Sequence, residues 1–174
     1  MGLDIIACSR ISKADVELDE TGHPVASQYW ETMCRAWVNP DWPERAQGLE
    51  HNAWYTFERQ VTFRAGAYSA YNEWREQLAK MAGYPAEETY SRSFGNRTLH
   101  SAACWNGKTG PFSLLIDFSD CEGAMSQDVC RQLLADFVEF DDKAREIGGW
   151  FYEKYSNWKE ALEVASDGGM VCFH

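Results

Sequence analysis

Positive charge is scarce in this chain. Lys and Arg number 16 against 27 Asp and Glu, which leaves a formal net charge of −11 over 174 residues. A body of that sign repels a phosphate backbone, so duplex nucleic acid is not an expected partner. Long apolar runs are also missing. Nothing approaches the roughly 18 residues that would suggest a membrane span, so no membrane role is expected. The opening stretch "MGLDIIACSRISKADVELDE" lacks the basic and apolar regions of an export signal. The six cysteines, Cys8, Cys34, Cys104, Cys121, Cys130 and Cys172, include no C-x-x-C pair. Without an export signal they read as reduced, mostly buried thiols of a cytoplasmic protein. Neither "GxSxG" nor a glycine-rich phosphate loop with its lysine occurs. His100 and Cys104 stand four residues apart, but two ligands do not close a zinc site. No metal and no cofactor is therefore expected.

What is present is ample material for a core. Apolar residues make up 45% of the chain and aromatics 14%, with eight Trp. That is enough burial for a single globular domain over residues 1–174, and too little length for two. The charge is unevenly placed. Residues 1–58 carry 4 basic and 10 acidic groups, residues 59–108 carry 7 and 4, and residues 109–174 carry 5 and 13. A basic island thus lies between two acidic blocks.

"LDIIAC" (residues 3–8) reads as an opening strand, followed by a loop that turns at Thr21, Gly22, His23 and Pro24. An irregular aromatic segment with Pro40 and Pro43 leads to a strand near residues 53–58. "AYSAYNEWREQLAKMAG" is the clearest helix, with Tyr71, Trp74, Leu78 and Met81 on one face. Ser69 is its expected N-cap, and Gly83 with Pro85 its stop. "PFSLLIDF" is dense enough in apolar residues to predict a central strand. "SQDVCRQLLADFVEFDDKAREI" predicts a second helix capped by Ser126, ended by Gly148 and Gly149. A third follows through Phe151, Tyr155, Trp158, Leu162 and Ala165, and "MVCFH" is a last strand. The fold class is α+β: a small antiparallel or mixed sheet with about three helices packed on one side.

Three stretches together carry a resemblance: the "MGLDI" start, "FRAGAYSAYNEWREQLAKMAGY", and "LIDFSDCEG" with the "ASDGGMVCFH" end. The chain resembles a family of small proteins of unknown function encoded by tailed phages and prophages. The resemblance implies a setting, the cytoplasm of a host bacterial cell. It supplies no reaction and no catalytic residues. Small phage proteins without a replication or virion signature are often antagonists of host defence, an inference by association.

Cys121 stands between Asp120 and Glu122, where a strand, a turn and a helix are expected to form a corner. A helix N-terminus lowers a thiol pKa, but two flanking carboxylates oppose a thiolate, so nucleophilic catalysis is disfavoured. Asp120 and Glu122 could instead accept hydrogen bonds from sugar hydroxyls or cap the helix. In the basic island, Arg64, Tyr68, Ser69, Tyr71, Asn72 and Arg75 crowd one helix start. Tyr68, Asn72 and Arg75 share a stripe. Arginines with stacking aromatics at a helix start suit a phosphate and a base. The competing reading makes Tyr71 and Trp74 core and Arg75 a partner for a carboxylate.

The expected ligand-binding set is therefore Arg64, Tyr68, Ser69, Asn72, Arg75, Asp120 and Glu122, with no catalytic residue and no metal ligand. It predicts a positive recess for a small anionic or nucleotide-like ligand, or a contact for a host defence protein. The functional expectation is a non-catalytic phage accessory protein that sequesters such a signal or masks a host protein. Two alternatives are a small hydrolase using Asp120, Glu122 or Cys121, and an acidic mimic of DNA. The aromatic content also suits a buried self-interface in a homo-oligomer.

Overall fold

The computed structural model describes residues 2–25, 32–91 and 95–174. Its centre is a four-stranded antiparallel sheet built by chain segments far apart in sequence. β1 (Leu3–Ser9) pairs on one side with β5 (Arg59–Gly66) and on the other with β9 (Met170–Phe173). β8 (Gly123–Ser126) closes the far edge against β9, giving the order β5-β1-β9-β8. β2 (Ser12–Lys13), β4 (Trp54–Thr56) and β3 (Met33–Arg35) form a second small antiparallel sheet in that order. β6 (Glu87–Ser91) and β7 (Gly95–Leu99) form a separate hairpin.

Side chains alternate across a strand, and here both faces are covered. Leu3, Ile5 and Ala7 of β1, with Val171 and Phe173 of β9, enter the larger core beneath the helices. Cys8 of β1, with Met170 and Cys172 of β9, enters a smaller core against Cys34 and Tyr55 of the second sheet and Ala36 just after β3. That is why all four residues of β9 are buried. The α+β architecture is as expected, with helices on one face and the second sheet on the other.

Three long helices supply most of the helical layer: α1 (Tyr68–Met81), α4 (Gln127–Glu139) and α6 (Gly149–Ala165). Tyr71, Trp74 and Leu78 of α1 are buried at the predicted spacing. The Trp74 ring lies 6.1 Å from Trp158 of α6 and 6.0 Å from Phe151, so aromatic stacking joins the two helices. Gly83 ends α1 with a φ of +86°, a left-handed value that suits glycine. α2 (Ala102–Trp105), α3 (Ser113–Ile116) and α5 (Asp141–Ile147) are short. Among the described residues, no helix is long and apolar enough to cross a membrane.

Four local expectations need correction. Ala67, not Ser69, occupies the N-cap of α1, and Ser69 lies inside the first turn. Ser126 does hold the N-cap of α4, but its Oγ has no hydrogen-bond partner among the described residues. The predicted second helix divides at Phe140, which ends α4 and starts α5 while burying its ring in the core. The fourth correction is the largest: "PFSLLIDF" contains no strand. Phe112 adopts a φ of +62°, and Ser113–Ile116 make one helical turn instead.

The groups that hold this turn explain the outcome. Arg75 Nη1 donates to the carbonyls of Ile116 (3.1 Å) and Phe118 (2.5 Å), with Leu115 at 3.5 Å. Arg45 donates to Leu114 O (3.3 Å), and the Trp105 indole to Ile116 O (3.2 Å). Two guanidinium groups and an indole thus satisfy carbonyls that a sheet ladder would otherwise take.

Candidate functional site

A cleft of about 900 Å³ opens beside the first turns of α1. Ser69, Asn72, Glu73 and Glu76 form its α1 wall. They recur at helical spacing and lie on the polar side of a helix whose other side is core. Tyr90 and Arg97 of the β6–β7 hairpin line the cleft, as does Trp105 at the end of α2. Asp117, Asp120 and Cys121 come from the turn after α3, and Asp41 and Trp42 from an irregular segment before a 3-10 turn at Pro43–Ala46.

Internal hydrogen bonds set the wall. Asn72 Nδ2 donates to Asp120 Oδ2 at 2.8 Å, and Arg75 donates to Asn72 Oδ1. Asn39 Nδ2 donates to Glu122 O at 2.8 Å while its Oδ1 accepts from Asp41 N at 3.0 Å, which ties the irregular segment to the turn. Ser119 Oγ accepts from the amides of Cys121 (3.3 Å) and Glu122 (3.1 Å) and so shapes the turn itself. Glu76 accepts from His100 N, Ser101 N and Ser101 Oγ at 2.8–2.9 Å, holding the entry to α2.

These partners shift the carboxyls in opposite directions. Burial pushes Asp117 above the usual carboxylate range, although Arg45 and Arg75 act against it. Burial also acts to raise Glu76, but the Ser101 and His100 amides and the Ser101 hydroxyl outweigh it and hold Glu76 below its ordinary value.

The expected residues separate into two groups. Ser69, Asn72, Arg75 and Asp120 converge on the cleft. Arg64, Tyr68 and Glu122 do not line it. Arg64 lies on β5 beside Asp4, 3.6 Å away, with both side chains largely exposed. Tyr68 packs half-buried against the larger core. Glu122 is exposed and reaches the cleft only through its carbonyl bond to Asn39.

The expected recess is present beside Asn72, but its lining is not positive. Arg75 is 3% exposed and engaged with carbonyls, Asn72 and the Tyr71 ring, 4.6 Å from its guanidinium carbon. Its Nε and the Tyr71 hydroxyl are buried without a hydrogen-bond partner among the described residues. Of the five carboxylates that line the cleft, Asp41, Glu73, Glu76 and Asp117 lie outside the expected set. Glu73 and Glu76 were legible on the polar stripe of α1. Asp41, Trp42, Trp105 and Tyr90 reach the cleft only through tertiary placement.

Cys121 is the exposed thiol of the six cysteines, and its Sγ lies 3.5 Å from Ser119 Oγ. Among the described residues no histidine lines the cleft. The His100 ring is held at Tyr84 O, 2.6 Å away. No group of three or more His, Cys, Asp or Glu among the described residues converges to hold a metal ion. The arrangement can stack a flat group, accept hydrogen bonds and attract positive charge. The hydroxyl nearest a carboxylate in its lining is that of Ser101, which is buried and donates to Glu76 at 2.8 Å as part of the α2 entry.

Comparison with family models, with curated proteins and with solved structures returns no match.

Proposed function

We propose that the protein is a non-catalytic binder that works through the α1 cleft. In the setting implied by its resemblance to phage proteins, it counters a host defence by masking a host protein in the bacterial cytoplasm. One observation carries the reading. Asp41 and Glu73 line an open cleft of ligand size, and neither side chain has a protein partner among the described residues. They stand beside the aromatic Trp42, Trp105 and Tyr90. Acceptors without partners at a preformed hollow are what a binding surface offers before it is filled.

A small nucleotide-like signal is the second reading. Aromatic side chains can stack a base, and Asp120 retains an oxygen for a sugar hydroxyl beyond its bond to Asn72. The surrounding carboxylates oppose a phosphate, which ranks this reading second.

Expression in bacteria that carry an active phage-defence system tests the proposal. Wild-type protein is expected to restore phage plating. The double charge reversal D41K/E73K changes only exposed side chains and is expected to abolish that effect. Full restoration by the double variant would remove the cleft from the function.

A further inference from the structure

Resting on that reading, we infer that the cleft receives the guanidinium of an arginine presented on a segment of the partner protein. Five carboxylates line the hollow, Asp41, Glu73, Glu76, Asp117 and Asp120, against the guanidinium groups of Arg75 and Arg97. The protein's own contacts sharpen that imbalance. Arg75 is buried under the wall and bonded to the carbonyls after α3, so its donors point into the protein. Glu76 is likewise engaged, with the α2 entry. What faces an incoming group is Asp41 and Glu73, whose side chains have no partner among the described residues, Asp120 with one oxygen on Asn72, and Asp117 with the Trp42 side chain as a partner and Arg45 no nearer than 4.0 Å. Against them stands the single exposed cation of the lining, Arg97, which has contacts of its own.

The aromatic component narrows the cation. Trp105 is 41% exposed and Tyr90 71% exposed, and both line the cleft with Trp42. A guanidinium is planar, stacks on such rings and presents five donors in a fork that suits carboxylates. An ammonium is a compact, strongly hydrated charge that matches the carboxylates but not the flat rings as well. Size argues for a side chain carried on a peptide. At about 900 Å³ the hollow exceeds one arginine and leaves room for flanking backbone.

The test uses the full-length protein and three blocked tripeptides, acetyl-Gly-Arg-Gly-amide and its Lys and Glu counterparts, with AMP as a fourth probe. Isothermal titration gives affinity, and the indole signals of a proton–nitrogen NMR spectrum report contact at the cleft tryptophans. The arginine peptide is expected to bind tightest, the lysine peptide several-fold more weakly, and the glutamate peptide and AMP below detection. The isosteric variant D41N/E73Q is expected to weaken the arginine peptide about tenfold. Equal binding of the arginine and glutamate peptides, tighter binding of AMP, or an unchanged affinity in D41N/E73Q would each overturn the inference.

Its failure is separable from failure of the proposed function. If no tripeptide binds while D41K/E73K still abolishes protection against defence, the ligand class is wrong and the cleft remains the working surface. If the arginine peptide binds as expected while D41K/E73K protects fully, the chemistry stands and the cleft is removed from the defence role.

Discussion

Arg75 and Glu76 are neighbours on α1, and each uses its charge on backbone groups of another segment. Arg75 holds the carbonyls at the end of α3, and Glu76 holds the amides at the start of α2. Replacing Arg75 with Met keeps the aliphatic bulk but leaves buried carbonyls without donors. The expected loss is about 3 kcal/mol, read as a lower urea midpoint at unchanged slope. Lys at this position is expected to recover little, because one ammonium cannot reproduce the planar fork. Glu76 gives a signed pH dependence. Its folded-state value is lowered, so its contribution is complete above the ordinary glutamate value of about 4.3 and is lost as pH falls through the lowered value. Glu76→Gln is therefore expected to cost about 1 kcal/mol at neutral pH, and wild type and variant should converge in the acid range. Urea midpoints measured from pH 7 to pH 3 check both the size and the direction.

At the level of elements, legibility followed how local each signal was. Helices α1 and α6 announce themselves because their buried residues recur at helical spacing within one segment. β9 was legible because the glycine pair before it and its apolar run are adjacent. β5 is legible only in the alternation of Val61, Phe63 and Ala65 with polar residues. Arg59 and Arg64 give that stretch the look of a charged surface segment. The segment after Pro111 misled for a different reason: its apolar density is that of a strand, but Arg45, Arg75 and Trp105 arrive from elsewhere to satisfy its carbonyls. Four residues of the candidate site, Asp41, Trp42, Tyr90 and Trp105, were hidden by the same dependence on distant segments. The glycines before β9 make a testable pair. A Cβ on Gly169 would stand 1.8 Å from Cys8 O, against the backbone of β1. Gly169→Ala is therefore expected to cost about 3 kcal/mol by forcing the strands apart. Gly168 has a φ of +65° and no contact closer than 3.6 Å, so its alanine variant should lose only about 1 kcal/mol of backbone preference. Thermal unfolding of the two single variants separates a clash from a conformational cost.

For the molecule as a whole, the decisive fact is that the two ends of the described chain meet at the centre of the main sheet. Asp4 and His174 exchange backbone hydrogen bonds at 2.9 Å in both directions, and β9 lies between β1 and β8. Removing β9 would therefore leave β1 and β8 without their shared neighbour. It would also withdraw Val171 and Phe173 from the core under the helices and Met170 and Cys172 from the core shared with the second sheet. Each fully buried side chain of this kind contributes about 1.5–3 kcal/mol. Four of them together rival the roughly 5–15 kcal/mol that separates a folded domain from its unfolded chain. Ending the chain after Gly168 is thus expected to abolish cooperative unfolding altogether, not to lower its midpoint. α4 and α6 pack directly on one another and also contact β9. Helical circular dichroism should therefore fall only in part, while the near-ultraviolet signal of the stacked Trp74 and Trp158 collapses. A truncated chain that still melted in one sharp transition with its aromatic signal intact would show that the helical layer folds without the central strand.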